Sequence, residues 1–529
     1  MQATRAGLGT AYGPVVPEGR RFARDVVVSP HYLASCAGLE VLACGGNAID
    51  AAVAANLALG VVAPYFCGIG GDLLALVHDG RFHAYRGVGR APGGATAALV
   101  AERAGTAVMP VLGPHAVTVP GAVDGWFALL ERWGTRSFGD LSRTAHRHAH
   151  EGFPLTAKGA EYLTGCRALY RDFPAWCDAY PETHAGAVVR QPALARTLDT
   201  IADGGASAFY RGPIAEAVAE TLGAGGSTMT VDDLAAHEGA WVEPIRARFG
   251  GVEVVELPPP TQGVTALEAL RILDGLELGP DGPDRHHLML EALKVALCDR
   301  DDHVADPDVM RVGVDDLLSD AWIDARRADI DPRRARRPRP RPGPDGGTAY
   351  LCAADADGLL VSLIQSNFTA AGSGVHVRDW GINLHNRGSA FRLDEGHVQT
   401  IGPGRLPMHT LIPATACRDG EPWLVFGTMG AHGQAQTHVQ LLARTVLDGN
   451  DPQVAIDAPR WRIDPGRWVV AAEGRFDHGW LRDLQARGHA LQLTFDHDTA
   501  MGHAHAIELV SGGFRAGTDP RAEGAALGR

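Results

Sequence analysis

The stretch Pro338-Arg-Pro-Arg-Pro-Gly-Pro-Asp-Gly-Gly-Thr348-Ala-Tyr-Leu-Cys-Ala-Ala-Asp-Ala-Asp-Gly358 changes character at Thr348. Before it, prolines and arginines cannot hold regular structure. After it, an apolar run reads as a core strand. Ala349 to Ala354 and Leu359 to Ser366 are the arms of a hairpin, and Asp355 to Gly358 suit its turn. If the turn centres on Asp357, Thr348 stands opposite Ser366, hydroxyl against hydroxyl. A slip of one residue would separate them.

Two glycines, Gly346 and Gly347, precede the threonine. Glycine permits backbone geometries closed to other residues, so the peptide before Thr348 can be held strained. The hydroxyl could then attack its own preceding carbonyl, shift the acyl group from N to O, and let water finish the cut. The new chain would begin at Thr348, with a hydroxyl nucleophile and an α-amine base of pKa roughly 8. A proline-rich tail that cannot pair would leave the new site easily. Taken alone, Gly-Gly-Thr more often marks an ordinary strand start.

At 529 residues, 45% apolar and 21% charged, the chain has the composition of a soluble globular protein large enough for a sizeable core. A formal charge of -14 disfavours nucleic acid and anionic membranes as partners. The one basic run, Arg333 to Arg341, is interleaved with proline and reads as linker. The first twenty residues lack the apolar core of a secretory signal, and no stretch reads as a membrane span. Eight scattered cysteines without a CxxC pair, mostly in apolar surroundings, imply buried thiols in a reducing, cytoplasmic compartment.

A helix is expected from Ser29-Pro30, with serine as cap, to about Cys44, and another from Ile49 to Val62. Leu73 to His78 and Arg81 to Arg86 pair as strands; Val252 to Leu257 and Trp423 to Phe426 are further strands. Gly125 to Trp133 and Arg285 to Arg300 are apolar at helical spacing. The mixture, with antiparallel hairpins, favours an α+β fold with layered sheets over a doubly wound parallel sheet. Gly68-Ile-Gly-Gly71 lacks the spacing of a phosphate loop and suits close backbone packing. His146, His148 and His150, and the pair His503 and His505, are too few on one face for a metal site. No cofactor or metal is expected.

With Thr348 in view, the chain resembles the γ-glutamyltransferase family of N-terminal-nucleophile (Ntn) hydrolases. The resemblance runs through Gly45-Gly-Asn-Ala-Ile-Asp-Ala-Ala-Val53, Gly68-Ile-Gly-Gly71, Val119-Pro-Gly-Ala-Val-Asp-Gly125, Pro258-Pro-Pro260 and Glu291-Ala-Leu-Lys-Val-Ala-Leu-Cys-Asp-Arg300. It continues through Asp306-Pro-Asp308, Gly347-Thr348, Leu411-Ile-Pro413 and Asp457-Ala-Pro-Arg460, and spans about residues 25 to 510. It implies a four-layer αββα sandwich built from two fragments of one self-cleaved precursor. Residues 1–347, ending in the linker at about 331–347, would be the large piece. Residues 348–529 would be the small one, and the two a heterodimer of one folded unit.

By similarity Thr348 is the nucleophile and Ser366 supports it, while backbone N–H groups at Gly430 and Ala431 form the oxyanion hole. An alanine stands there where the family usually has a second glycine. Where γ-glutamyl enzymes hold an α-amino group, this chain has Asn386-Arg-Gly-Ser-Ala-Phe391, placing Arg387 and Ala390 at the glutamine and acidic positions, and Phe368 replaces an asparagine. His409-Thr410 replaces a serine pair. Arg86 and Arg90 both qualify as the carboxylate-binding arginine. A long lid is missing, since only Arg392 to Arg405 separates Phe391 from the next motif.

These departures imply the lid-less, cephalosporin-acylase-like branch, with a small anionic acyl group other than γ-glutamyl, an amide substrate, and water or an amine as acceptor. The alternatives are an authentic γ-glutamyl hydrolase or transferase, and a catalytically silent paralogue with a binding role.

Overall fold

A computed structural model describes residues 22–339 and 346–529. The amino-terminal stretch read for a secretory signal and residues 340–345 of the linker lie outside them. Alternation along the strands builds the architecture. In Ala349–Ala354, Ala349, Leu351 and Ala353 face one apolar cluster, while Tyr350, Cys352 and Ala354 face another. That period of two requires cover on both faces.

One sheet runs Ala525–Gly528, Val26–Ser29, Ala349–Ala354, Leu360–Ser366, Asp72–His78, Phe82–Gly87, Ala240–Val242, every neighbour antiparallel. The other runs Phe22–Ala23, Gly513–Thr518, Ala504–Val510, Glu421–Thr428, Ala414–Arg418, Val252–Glu256, Ile245–Phe249, again antiparallel. Val28, Leu76, Tyr350 and Ile364 of the first meet Val255, Val425 and Ile507 of the second in an apolar interlayer. Helices including Ala48–Val62, Ala122–Trp133 and Phe138–Glu151 cover the outer face of the first sheet. Gly263–Asp274, Pro283–His303 and Gly433–Leu442 cover the second. The fold is the αββα sandwich of Ntn hydrolases.

Ala349 pairs with Gln365 and Tyr350 with Ile364, the register that sets Thr348 against Ser366. Each sheet mixes strands from both sides of residue 348, so neither side completes a sheet alone. Helix ends moved by a few residues. The first helix is Tyr32–Ala43, capped by His31 rather than Ser29, because Ser29 ends a strand and its hydroxyl donates to His31 O. The second starts at Ala48 under a capping box from Asn47 and Asp50. All eight cysteines are free, but only Cys67, Cys166, Cys352 and Cys417 are buried; Cys36 and Cys44 are exposed, at the polar side and end of the first helix. No helix among the described residues is long and apolar enough to cross a membrane.

The described linker residues are not loose. Ala335 N donates to Arg487 O at 2.8 Å, Arg336 N to Glu291 Oε2 at 2.9 Å, and Trp468 Nε1 to Arg339 O at 2.8 Å. A segment without helix or strand is thus pinned as far as Arg339 by its backbone groups.

Leu363 lies in the strand opposite Ala349–Ala354, fully buried against the helical layer. Leu363→Ala should cost about 2–5 kcal/mol through lost burial and a residual cavity. Denaturant unfolding checks this, and an unchanged midpoint would contradict the packing assigned to that strand.

Candidate active site

Thr348 precedes the first strand pair on the side of Tyr350 and Cys352, at the edge of the layer between the sheets. It is 1% exposed, as is Ser366. Thr348 Oγ1 lies 3.1 Å from Ser366 Oγ and donates to Gly347 O at 2.8 Å. Ser366 Oγ donates to the same carbonyl at 2.9 Å and accepts from Phe368 N at 2.7 Å. Two hydroxyls therefore converge on the carbonyl of the Gly347–Thr348 peptide.

The glycines serve this junction by proximity rather than by dihedral angle. Gly347 stays outside the left-handed region. A Cβ on Gly346 would come within 2.5 Å of Phe368 O, and one on Gly347 within 3.2 Å of the Phe66 ring. The strain sits on the walls instead: Phe368 has φ 74°, Ala370 φ 50° and Ala431 φ 47°. Non-glycine residues in that region cost about 1–3 kcal/mol each and concentrate at functional sites.

Gly430 and Ala431 sit just before the helix Gly433–Leu442. Gly433 N donates to Gly430 O at 2.7 Å. In a trans peptide the Ala431 N–H then points away from the helix, and the positive end of the helix dipole stands behind the loop. Gly430 and Gly347 line the same cavity. Gln262, absent from the sequence reading, secures this loop. Its Nε2 donates to both Ala431 O and Thr410 O at 2.8 Å, and its Oε1 accepts from Arg300 Nη1 at 3.0 Å.

Arg387 is 1% exposed. Its guanidinium carbon sits 3.7 Å from the centre of the Phe368 ring, and Nη1 donates to Thr410 Oγ1 at 3.3 Å. Nε and Nη2 have no hydrogen-bond partner. Burial lowers the guanidinium to about 9, against a nearby Asp72 that opposes the shift, so it stays charged at neutral pH. Asp72 was missed as a site residue, although it ends the Gly68-Ile-Gly-Gly71 motif. It is fully buried and accepts from Gly121 N at 3.2 Å and from His409 Nε2 at 3.0 Å; His385 Nδ1 lies 3.3 Å away. Burial pushes its carboxyl up, but His385 and His409 outweigh burial and hold it well below the usual range. Burial, then Arg387, pulls His409 down to about 3 despite the Asp72 carboxylate. This buried cluster therefore carries an aspartate, a neutral His409 presenting Nδ1, and an arginine with spare donors.

The other expected residues have partners within the protein. Asn386 spends its amide on Thr369 N and Val111 O. Arg86 donates to Pro259 O, and the half-exposed Arg90 to Gly404 O. His146 faces Asp199 at 3.2 Å, and burial holds His503 and His505 at about 3 and about 4. His287, Glu291 and His489 cluster tightly. Lys294 Nζ donates to Glu291 Oε1 at 2.7 Å and to His489 Nδ1 at 3.2 Å, and His489 Nε2 lies 2.8 Å from His287 Nδ1. That is a relay around an ammonium rather than a ligand set.

Asp72→Asn tests the buried pair. Wild-type stability should fall below about pH 6.5, where the unfolded chain protonates His409 and the folded one refuses to. It should fall again through the carboxylate range, since the unfolded chain protonates Asp72 first. The variant should lose that second limb and about 3–5 kcal/mol at pH 7. Thermal melts across pH read both, and an unaltered acid limb would refute the assignment.

Comparison with known proteins places the chain. A family model described as gamma-glutamyltranspeptidase matches residues 34–529. The glutathione hydrolase-like YwrD proenzyme of Bacillus subtilis (strain 168) is 38% identical over 96% of this chain and 98% of its own. The oxamate amidohydrolase proenzyme of Klebsiella pneumoniae is 37% identical over 95% and 98%. The crystal structure of a cephalosporin acylase from Bacillus halodurans superposes with a TM-score of 0.91 at 37% identity, covering 96% of both chains. The chain belongs to the gamma-glutamyltranspeptidase family and is an Ntn-type amide hydrolase or acyltransferase.

Proposed function

We propose that this family member cuts its own chain before Thr348 and then cleaves amides of small anionic acyl groups through an ester on the Thr348 hydroxyl. The observation that carries the reading is the convergence of Thr348 Oγ1 and Ser366 Oγ on Gly347 O, at 2.8 and 2.9 Å.

In processing, Thr348 Oγ1 attacks the Gly347 carbonyl carbon while Ser366 polarises its oxygen. The C–N bond breaks, the nitrogen takes the hydroxyl proton, and an ester links Gly347 to Oγ1. Water hydrolyses the ester, leaving a Gly347 carboxylate and a free Thr348 amine. The pieces, residues 1–347 and 348–529, remain one body because their strands alternate within both sheets. In turnover the α-amine takes the hydroxyl proton as Oγ1 attacks the substrate amide. Gly430 and Ala431 N–H groups stabilise the oxyanion. The amine leaves with that proton, and water or a second amine then takes the acyl group from Oγ1.

Support for an anionic acyl group comes from Arg387, buried with two spare donors beside Thr410. An arginine there, with Ala390 where an acid would pair an ammonium, repels a γ-glutamyl amino group. Oxamate, named for one relative, has an acyl part that itself bears a carboxylate, which fits this pocket.

Wild-type protein should migrate as pieces of about 37 and about 19 kDa from the 55.9 kDa chain. Thr348→Ala should give one uncut, inactive band. Turnover by that variant would overturn the proposal, and a wild-type chain that stays intact would favour the silent-paralogue reading. Arg387→Leu should lower kcat/KM for glutaryl-p-nitroanilide roughly 10–100-fold, the loss of charge-assisted hydrogen bonds. It should also erase any preference over butyryl-p-nitroanilide. Faster turnover of γ-glutamyl-p-nitroanilide than of the glutaryl compound by wild type would instead assign a γ-glutamyl enzyme.

A further inference from the structure

The buried Arg387 accounts for one arm of an amide substrate. The other arm has a separate place. A cavity of about 520 Å³ opens beside Gly347 and Gly430, so it begins where the reacting carbonyl and the oxyanion donors meet. Three rings form its corner. Tyr65 and Tyr162 stack with centroids 4.9 Å apart and planes 12° from parallel. Phe66 packs edge-on against both, at 4.6 and 4.9 Å. Tyr65 and Phe66 are buried, and Tyr162 is half-buried.

The corner is uncharged at neutral pH. Burial pushes the Tyr162 phenol up to about 12 and Tyr65 well above its ordinary value. Charges stand elsewhere in the lining, on Glu161 and Arg462. Gly346 and Gly347 both line the cavity, but Arg387 does not, so an acyl group held by that arginine leaves the aromatic corner to the nitrogen side.

Size points the same way. A water takes about 30 Å³, so an ammonia leaving group would leave most of the cavity to solvent. A flat ring would occupy its aromatic corner and stack in the offset or edge-on geometry that aromatic pairs prefer. We propose that the Tyr65–Phe66–Tyr162 cavity is the amine-side subsite and takes an aromatic ring carried on the scissile amide nitrogen. This rests on the acyl-enzyme reading above and adds the second half of the substrate to it.

The test compares two substrates with one acyl group, glutaryl-p-nitroanilide and glutaramate, on processed wild type, Tyr162→Ala and Tyr162→Phe. Both substrates give the same acyl-enzyme, so their kcat/KM ratio reports the amine side alone. Tyr162→Ala should lower the anilide-to-primary-amide ratio about tenfold, and Tyr162→Phe should keep it near wild type. 4-Nitroaniline should inhibit glutaramate hydrolysis competitively in wild type and lose potency by a similar factor in Tyr162→Ala. Two bands on a denaturing gel and an unshifted melt confirm that each variant has folded. A ratio unchanged in Tyr162→Ala would overturn the subsite. If wild type cleaves neither compound, the anionic-acyl reading fails, and the subsite is judged by 4-nitroaniline binding to wild type and Tyr162→Ala. Binding that the alanine variant loses sustains it; absent or equal binding overturns it.

Discussion

The pairing of Ala349–Ala354 with Leu360–Ser366 is the constraint on which the rest depends. In an antiparallel pair, side chains directly opposite each other share a face. With Ala349 against Gln365, Thr348 and Ser366 fall together at the end of the interlayer. The apolar alternation on both sides of these strands holds that register, because a slip of one would turn Tyr350 and Cys352 toward the helices. The same burial that specifies the fold therefore sets the Thr348 hydroxyl against that of Ser366.

Around that pair the protein concentrates charge where water is excluded. Asp72, His385, His409 and Arg387 are all buried. Isolated, the Asp72 and Arg387 charges would be costly in such a place. Asp72 offsets Arg387 electrostatically and takes its hydrogen bonds from backbone and histidine donors, so the arginine keeps free N–H groups. A guanidinium whose donors are not consumed by the protein is preorganised for an anion. Gln262 joins Thr410 to the Gly430–Ala431 loop through one side-chain amide.

The linker before Thr348 reconciles two demands. Its described part is anchored by backbone hydrogen bonds to Glu291, Arg487 and Trp468. Close to the junction, glycines let the chain pass against Phe368 and Phe66, where larger residues would collide. Phe66, Gly346 and Gly347 line one cavity with Gly430.

Local sequence determined much of this. Turn residues at Asp355 to Gly358 and the apolar runs beside them predicted the hairpin and its register, because strand period and turn length act over a few residues. Ordered motifs along the chain carried the family and, through it, the layered sandwich and the candidates Thr348, Ser366, Gly430 and Arg387. What the tertiary structure alone decided is which distant groups meet. Asp72 and His409 are 337 positions apart, and no spacing rule joins them; the sheet and the loop beyond Pro260 do. Likewise Arg387 rather than Arg86 or Arg90 stands against Thr410, and Gln262 bridges two loops. Burial, desolvation and spare hydrogen-bond donors depend on everything packed around a group in three dimensions, so they become visible only once the layers close.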